Sequence, residues 1–158
     1  MQNSQKLERI HLQYCKHLLG VRTQTQNNFV YGELGRYPLF VQRTVTVVKY
    51  WLKIVHSVDV KYIRHTYNML LDDTIQNPGK PNWVNSVKQL LERLGFGDVW
   101  LYQNVGNTEL FLFELKDRLK HDFVRVWKSE LENSTRARSY ILFADIKFHD
   151  YLDVINDK

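Results

Sequence analysis

The chain has 158 residues, of which 44% are apolar and 13% aromatic, and its formal net charge is +5. This length suits one domain, and the aromatic content excludes general disorder. The basic excess is compatible with nucleic acid or another anionic surface as a partner, although it is too modest to require one.

The first part of the chain predicts three helices. The first has four apolar residues at helical spacing and ends at Gly20: Leu7, Ile10, Tyr14 and Leu18. A polar loop and a short helix over 29–34 follow, and Gly35 ends that helix. Pro38 begins the strongest helix, over 38–56, because proline suits the first helical position. Its wide apolar face indicates a central place in the core and consists of Val41, Val45, Val48, Leu52 and Val55, widened by Val47, Tyr50, Trp51 and Ile54. The β-branched residues 44–48 would also suit a strand, but the length and spacing favour a helix.

Further helices are predicted beyond this point. One begins at Asp59 or its neighbour, and the turn-forming segment 77–81 after it is a candidate subdomain break. Asn82 caps the next helix, and Asn107 caps a long one that reaches about Glu132. Its apolar face comprises Leu112, Leu115, Leu119, Phe123, Val126 and, as an alternative, Trp127. Ser134 caps a helix through about residue 143, and a last turn lies near Tyr151, Leu152 and Ile155. The prediction is an all-α, compact bundle of seven to nine helices in a single domain, 1–158.

The sequence contains no complete catalytic motif. The six histidines lack the spacing of a metalloprotease helix, and neither a G-x-S-x-G string nor a phosphate-binding glycine loop is present. Asp145 and the pair Asp72 and Asp73 stand in strings that resemble polymerase metal sites only in part. Cys15 is expected to be a buried structural thiol. We therefore predict no enzyme activity, no cofactor and no metal site.

The single cysteine and the hydropathy bear on where in the cell the protein is expected to be found. One thiol cannot form an internal disulfide, so a reducing environment fits best. The longest apolar run is interrupted by Lys49 and Lys53 and is too short to span a membrane. The expectation is an intracellular protein without a membrane partner, nuclear or cytoplasmic.

Basic residues on the long helix are candidates for contact with nucleic acid. Arg118, His121, Arg125 and Lys128 follow 3–4–3 spacing and therefore share one helical face, and Arg136 and Arg138 follow soon after. Such side chains could neutralise phosphates. A second basic cluster comprises Arg36, Arg43, Lys49 and Lys53. An ordinary solvated face with internal ion pairs remains the alternative for both.

Five segments of the chain resemble a known family. Leu19-Gly20-Val21 is followed by Phe29-Val30-Tyr31-Gly32-Glu33-Leu34-Gly35-Arg36-Tyr37-Pro38-Leu39, and further similarity runs through 49–51, 90–100 and 131–138. Together these strings resemble the region downstream of the reverse transcriptase in non-LTR (LINE-type) retrotransposon polyproteins of animals. The resemblance covers about 7–155, and the string 31–38 is its most specific part.

The resemblance implies part of a machine that copies element RNA into DNA at a nicked target. The polymerase carboxylates and the endonuclease would lie upstream, so a fragment or derived stand-alone gene product is expected to be non-catalytic. The expected function is an accessory domain that contacts template RNA or target DNA through Arg118, Arg125, Lys128, Arg136 and Arg138. A protein-interaction module that docks to a polymerase or another partner, and a decayed remnant without selected function, remain alternatives. The oligomeric state is open.

The string 32–38 is interpreted as a structural joint between two helices. Gly35 can take the positive φ that ends the first helix, and Pro38 restarts the chain as the second. Glu33 and Arg36 are expected to pair across the corner. Gly32 belongs to the same joint.

Overall fold

The computed structural model describes residues 2–56 and 61–147. These residues form seven α-helices and one short 3-10 helix, and no β-strand: α1 Gln2–Leu18, α2 Asn27–Glu33, α3 Leu39–Val55, α4 Lys61–Gln76, α5 Trp83–Arg93, α6 Gly97–Tyr102, α7 Thr108–Glu132 and the 3-10 helix Tyr140–Leu142. The predicted all-α class is confirmed. The helix start at Asp59 and the last turn near Tyr151, Leu152 and Ile155 lie outside the described residues.

The chain divides into two compact units. Unit 1 contains Met1–Val41 and Lys120–Lys158, and unit 2 contains Gln42–Leu119. The division therefore falls within α3 and α7. The segment 77–81, which the sequence marks as a candidate break, lies inside unit 2 and joins α4 to α5.

The described residues of unit 1 include two clusters of buried apolar side chains. One joins Leu12 and Cys15 of α1 to α2 and the residue after it, and consists of Leu12, Cys15, Val30, Tyr31 and Leu34. The other joins Trp127 and Leu131 of α7 to Ala137, which follows that helix. The Phe123 ring adjoins the first cluster and meets the Tyr31 ring edge to face, with centroids 5.3 Å apart. Aromatic packing of this kind adds to the burial of apolar surface.

The helix predicted at the start of the chain is present, but its apolar stripe is not buried. Leu7, Ile10 and Tyr14 are each 59% exposed and Leu18 is 47% exposed, whereas Leu12 and Cys15 lie in the core. Helix α1 thus carries two apolar faces. Periodicity identifies both faces but cannot tell which one meets the rest of unit 1.

Unit 2 is built around Trp51 of α3. Its indole is fully buried, stacks against the Trp100 ring with centroids 5.8 Å apart, and donates a hydrogen bond to the Tyr67 hydroxyl at 3.1 Å. The Tyr67 hydroxyl in turn donates to the Gln103 side chain at 2.7 Å. The buried Trp51 indole and Tyr67 hydroxyl therefore each have a hydrogen-bond partner, as low-dielectric surroundings demand. Other buried residues of this unit are Val48, Leu52, Val84, Val87, Leu91, Leu94, Leu115 and Leu119.

Three details of the predicted helices are corrected. Val47 and Tyr50 of α3 are exposed, so the buried face is narrower than the sequence indicates. On α7, Val126 is 52% exposed and Trp127 is buried, in line with the other buried residues of this helix, which are separated by four or eight positions: Phe111, Leu115, Leu119 and Leu131. Between Ser134 and residue 147, where the description ends, the chain forms turns and the 3-10 helix, so the predicted helix over 134–143 is absent.

Candidate nucleic-acid interface

The five basic residues predicted to contact nucleic acid are all exposed. Arg118, Arg125 and Lys128 lie on α7, and Arg136 and Arg138 lie in the turns that follow it. Arg118 belongs to unit 2, whereas the other four belong to unit 1. The predicted residues that belong to a single unit are therefore Arg125, Lys128, Arg136 and Arg138.

The turn that carries Arg136 and Arg138 is anchored by the residue between them. Ala137 is 0% exposed and packs with Trp127 and Leu131 of α7. Its backbone N–H donates to the Ser134 carbonyl at 3.0 Å, and its carbonyl accepts from Ile141 at 2.9 Å. Because the buried alanine fixes the backbone, the guanidinium groups on either side project from a supported turn. The sequence did not indicate this anchor.

The end of α7 is tied to the start of α2 by side-chain hydrogen bonds. The Trp127 indole donates to the Asn28 carbonyl at 2.8 Å, and the Asn28 amide donates to the Glu130 carboxylate at 3.0 Å. The Ser134 hydroxyl adds a longer bond to Gln26 at 3.3 Å. These bonds hold the part of α7 that presents Arg125 and Lys128.

Carboxylates dilute the positive charge of this face. The Arg125 guanidinium pairs with the Asp122 carboxylate one turn earlier, at 3.0 Å. Such an exposed pair contributes only about 0.2–1 kcal/mol, so a phosphate could compete for the guanidinium. Glu132 follows Lys128 by four residues, at the spacing of a second helical neighbour. This face of α7 thus carries both basic and acidic side chains.

Helix α1 of unit 1 carries further basic residues, which the sequence analysis did not identify as candidates. Arg9 and Lys16 line a cleft of about 450 Å³, together with Gln13, Thr23 and others. Lys16 is buried, and its ammonium donates to the Thr23 carbonyl at 2.9 Å. Glu8 is the only acidic residue among residues 1–32, which is the signal that could have identified this region. Lys120 lies over the Tyr37 ring, 4.9 Å from its centroid.

The second basic cluster is divided in the same way. Arg36 belongs to unit 1, whereas Arg43, Lys49 and Lys53 belong to unit 2 and are exposed. Lys49 and Lys53 line a groove of about 410 Å³ together with Tyr50. This cluster supplies a matched set of exposed cations on the same chain.

The joint at 32–38 has the geometry of a glycine-terminated helix. Gly35 has φ 58°, its N–H donates to the Gly32 carbonyl at 3.1 Å, and the Arg36 N–H donates to the Tyr31 carbonyl at 3.1 Å. This pair of bonds is the Schellman motif. Pro38 directly precedes α3, and its carbonyl accepts from the Val41 N–H.

Glu8 fastens this joint to α1. Its two carboxylate oxygens accept from the Tyr31 hydroxyl at 2.8 Å and from the Leu39 N–H at 3.0 Å, at the first residue of α3. A carboxylate at a helix N-terminus is favoured by the helix dipole. Burial and this hydrogen bond raise the pKa of Tyr31.

Glu33 and Arg36 each interact with a residue outside the joint. Glu33 lies close to the buried hydroxyl of Tyr140, but the geometry is not that of a hydrogen bond, so we regard the contact as electrostatic. Burial and this carboxylate raise the pKa of Tyr140. Arg36 lies near Cys15, where burial raises the pKa of the thiol and the Arg36 charge opposes that rise. The Glu33–Arg36 pair stays a prediction.

Within the described residues, no group of three or more histidine, cysteine, aspartate or glutamate side chains is placed to hold a metal ion. None of the helices in that part of the chain combines the length and apolar character that crossing a membrane requires. Compared with known proteins, the chain matches no family model, no curated protein and no solved structure.

Proposed function

We propose that this chain is a non-catalytic helical accessory domain derived from a non-LTR retrotransposon reverse transcriptase. In this proposal its unit 1 contacts the phosphates of template RNA or target DNA through Arg125, Lys128, Arg136 and Arg138. The observation that carries the proposal is the supported turn, in which buried Ala137 separates two exposed arginines. Arg118 would act separately, from unit 2.

The chemistry of these side chains suits phosphate better than bases. A guanidinium presents several donors in a planar fork that matches phosphate oxygens, and a phosphate contact carries no sequence information. The Asp122 and Glu132 carboxylates lower the local potential, so binding should be weak and strongly dependent on salt. The proposed contact is therefore sequence-independent holding of a nucleic-acid strand.

Charge reversal tests the proposal. The Arg125→Glu/Lys128→Glu variant should lose at least about tenfold in affinity for unrelated RNA and DNA oligonucleotides of equal length, because repulsion replaces phosphate contacts. Fluorescence anisotropy at about 50 and about 200 mM salt measures this loss.

The matched control is Lys49→Glu/Lys53→Glu, which makes the same charge change in unit 2 at exposed positions. It should retain most of the affinity. Unchanged binding by the α7 variant, or an equal loss in both variants, would contradict a localised phosphate surface. Circular dichroism confirms that each variant is folded.

A further inference from the structure

Helix α1 exposes an apolar stripe that its own unit does not cover. Leu7, Ile10 and Tyr14 are each 59% exposed, and Leu18 is 47% exposed. Their spacing of three, four and four residues confines them to an arc of about 80°, at about 100° per residue. Leu12 and Cys15, which lie outside this arc, hold the helix in the core.

The width of the stripe favours one kind of occupant. An arc this narrow corresponds to the seam between two packed helices, whereas an amphipathic face is typically wider, about 100° or more. A helix that packs along such a seam contributes apolar residues that lie three and four positions apart. The stripe is therefore matched to a helix more closely than to a lipid surface.

The charges beside the stripe narrow the choice further. The described side chains of α1 include Lys6, Arg9 and His17, all exposed, and Lys6 and His17 border the stripe in the helical projection. Glu8 is the only acidic residue of α1, and both of its oxygens already accept hydrogen bonds, from Tyr31 and Leu39. One edge of the stripe is thus basic, and the single carboxylate of this helix already has two hydrogen-bond partners.

We propose that the stripe Leu7–Ile10–Tyr14–Leu18 docks an amphipathic helix of a partner protein, whose apolar seam is flanked by glutamate or aspartate. The seam packs on the four exposed side chains, and the flanking carboxylates pair with Lys6 and His17, which border the stripe. Opposite charges at the rim of an interface accelerate association and exclude wrong partners. A second copy of this chain fits poorly, because pairing two α1 helices would place basic side chains together.

The docking surface uses none of the four residues assigned to phosphate contact. The two proposals can therefore fail separately, because one is tested by the binding of a helical peptide and the other by the binding of nucleic acid.

The test uses the full chain and two synthetic helical peptides with the same leucine seam, one flanked by glutamate and one by lysine. Fluorescence anisotropy should show saturable binding of the glutamate peptide, at least about tenfold tighter than the lysine peptide. The Ile10→Ser/Tyr14→Ser variant should lose this binding. Leu101→Ser, at a 70% exposed position of α6, should keep it.

Four outcomes would overturn the proposal. Equal binding of the two peptides would show that charge does not select the partner. Unchanged binding by the Ile10→Ser/Tyr14→Ser variant would show that the stripe is not the docking site. Sedimentation of the free protein as a dimer that Ile10→Ser/Tyr14→Ser dissociates would assign the stripe to a second copy. Co-sedimentation with phosphatidylserine vesicles, lost in the same variant, would assign it to a membrane. Because all the substituted side chains are exposed, thermal melting should be nearly unchanged.

Discussion

Gly32 shows how one missing side chain permits the packing of unit 1. A Cβ atom at this position would overlap the Tyr140 hydroxyl oxygen and would lie 3.1 Å from the Trp127 ring. Alanine ordinarily stabilises a helix by about 1 kcal/mol relative to glycine. Here the overlap should outweigh that gain, because the Tyr140 ring packs edge to face against the Phe29 and Phe143 rings, which hinders its withdrawal.

We therefore expect Gly32→Ala to destabilise the protein by about 1–3 kcal/mol in urea unfolding. Gly97→Ala is the matched control, since nothing lies within 4 Å of its added Cβ. Adding Tyr140→Phe to Gly32→Ala removes the overlapping hydroxyl and should restore part of the loss. A neutral Gly32→Ala variant would contradict the close approach.

The hydrogen-bonded carboxyl group of Asp73, at the end of α4, makes the stability of the protein depend on pH. The hydrogen bond from Lys80, at 3.0 Å, holds the pKa of Asp73 below its ordinary value of 3.8, and Asn77 contributes a second bond. A carboxyl whose pKa is lowered by folding stabilises the native state above its ordinary pKa. That contribution is lost as the pH falls through the lower, folded value.

Lys80→Met should raise the Asp73 pKa toward 3.8 and flatten the acid side of the stability profile below about pH 4. Carboxyl-carbon NMR titration measures the pKa directly. Lys116→Met removes an exposed lysine elsewhere in unit 2 and should leave the Asp73 titration unchanged. An Asp73 pKa that is identical with and without Lys80 would refute this assignment.

At the scale of elements, the turn between α4 and α5 is held from inside. The buried Asn85 amide donates to the carbonyls of Pro78 and Lys80, at 3.0 and 3.2 Å. Its backbone N–H donates to the Asn82 side chain at 2.7 Å, which caps α5. The segment 77–81 thus forms a fixed connection between the two helices.

Removal of the Asn85 amide should destabilise unit 2. Asn85→Ala leaves two carbonyls without this donor and should cost about 1–3 kcal/mol, as measured by chemical unfolding. Gln89→Ala, at an exposed position one turn later in the same helix, should cost much less. If the two substitutions had the same effect, the internal bonds would not be what holds the turn.

The sequence predicts the ends of helices better than their buried faces. Asn82 and Asn107 cap α5 and α7 as expected, accepting from Asn85 and Leu110, because capping depends on neighbours within one turn. Burial depends on residues distant in sequence. This is why Val126 of α7 is exposed while Trp127 is buried, and why the first stripe of α1 is exposed.

The candidate site illustrates the same limit. Helical spacing placed Arg125 and Lys128 on one exposed face, which is a local property. The anchoring of Arg136 and Arg138 depends on Ala137 packing against Trp127 and Leu131, and an isolated alanine gives no sign of this in the sequence. Nor could spacing show that Arg118 and Arg125 belong to different units.

At the scale of the whole molecule, the net charge of +5 is too small to define a binding surface by itself. What matters is where exposed cations lie on well-packed backbone without an ion pair to another described residue. In unit 1 such positions include Arg136 and Arg138, beside the buried Ala137, and Lys128. The proposed phosphate contact therefore depends on the arrangement of a few side chains more than on total charge.

The salt dependence of RNA binding tests this central claim most directly. The affinity of the wild-type chain for single-stranded RNA should fall with salt, and the slope should decrease by about 0.7 for each phosphate contact removed. The Arg136→Gln/Arg138→Gln variant should therefore show a slope shallower by about 1.4, with the fold intact by circular dichroism. A slope equal to that of the wild type would contradict the assignment of phosphate contacts to this turn.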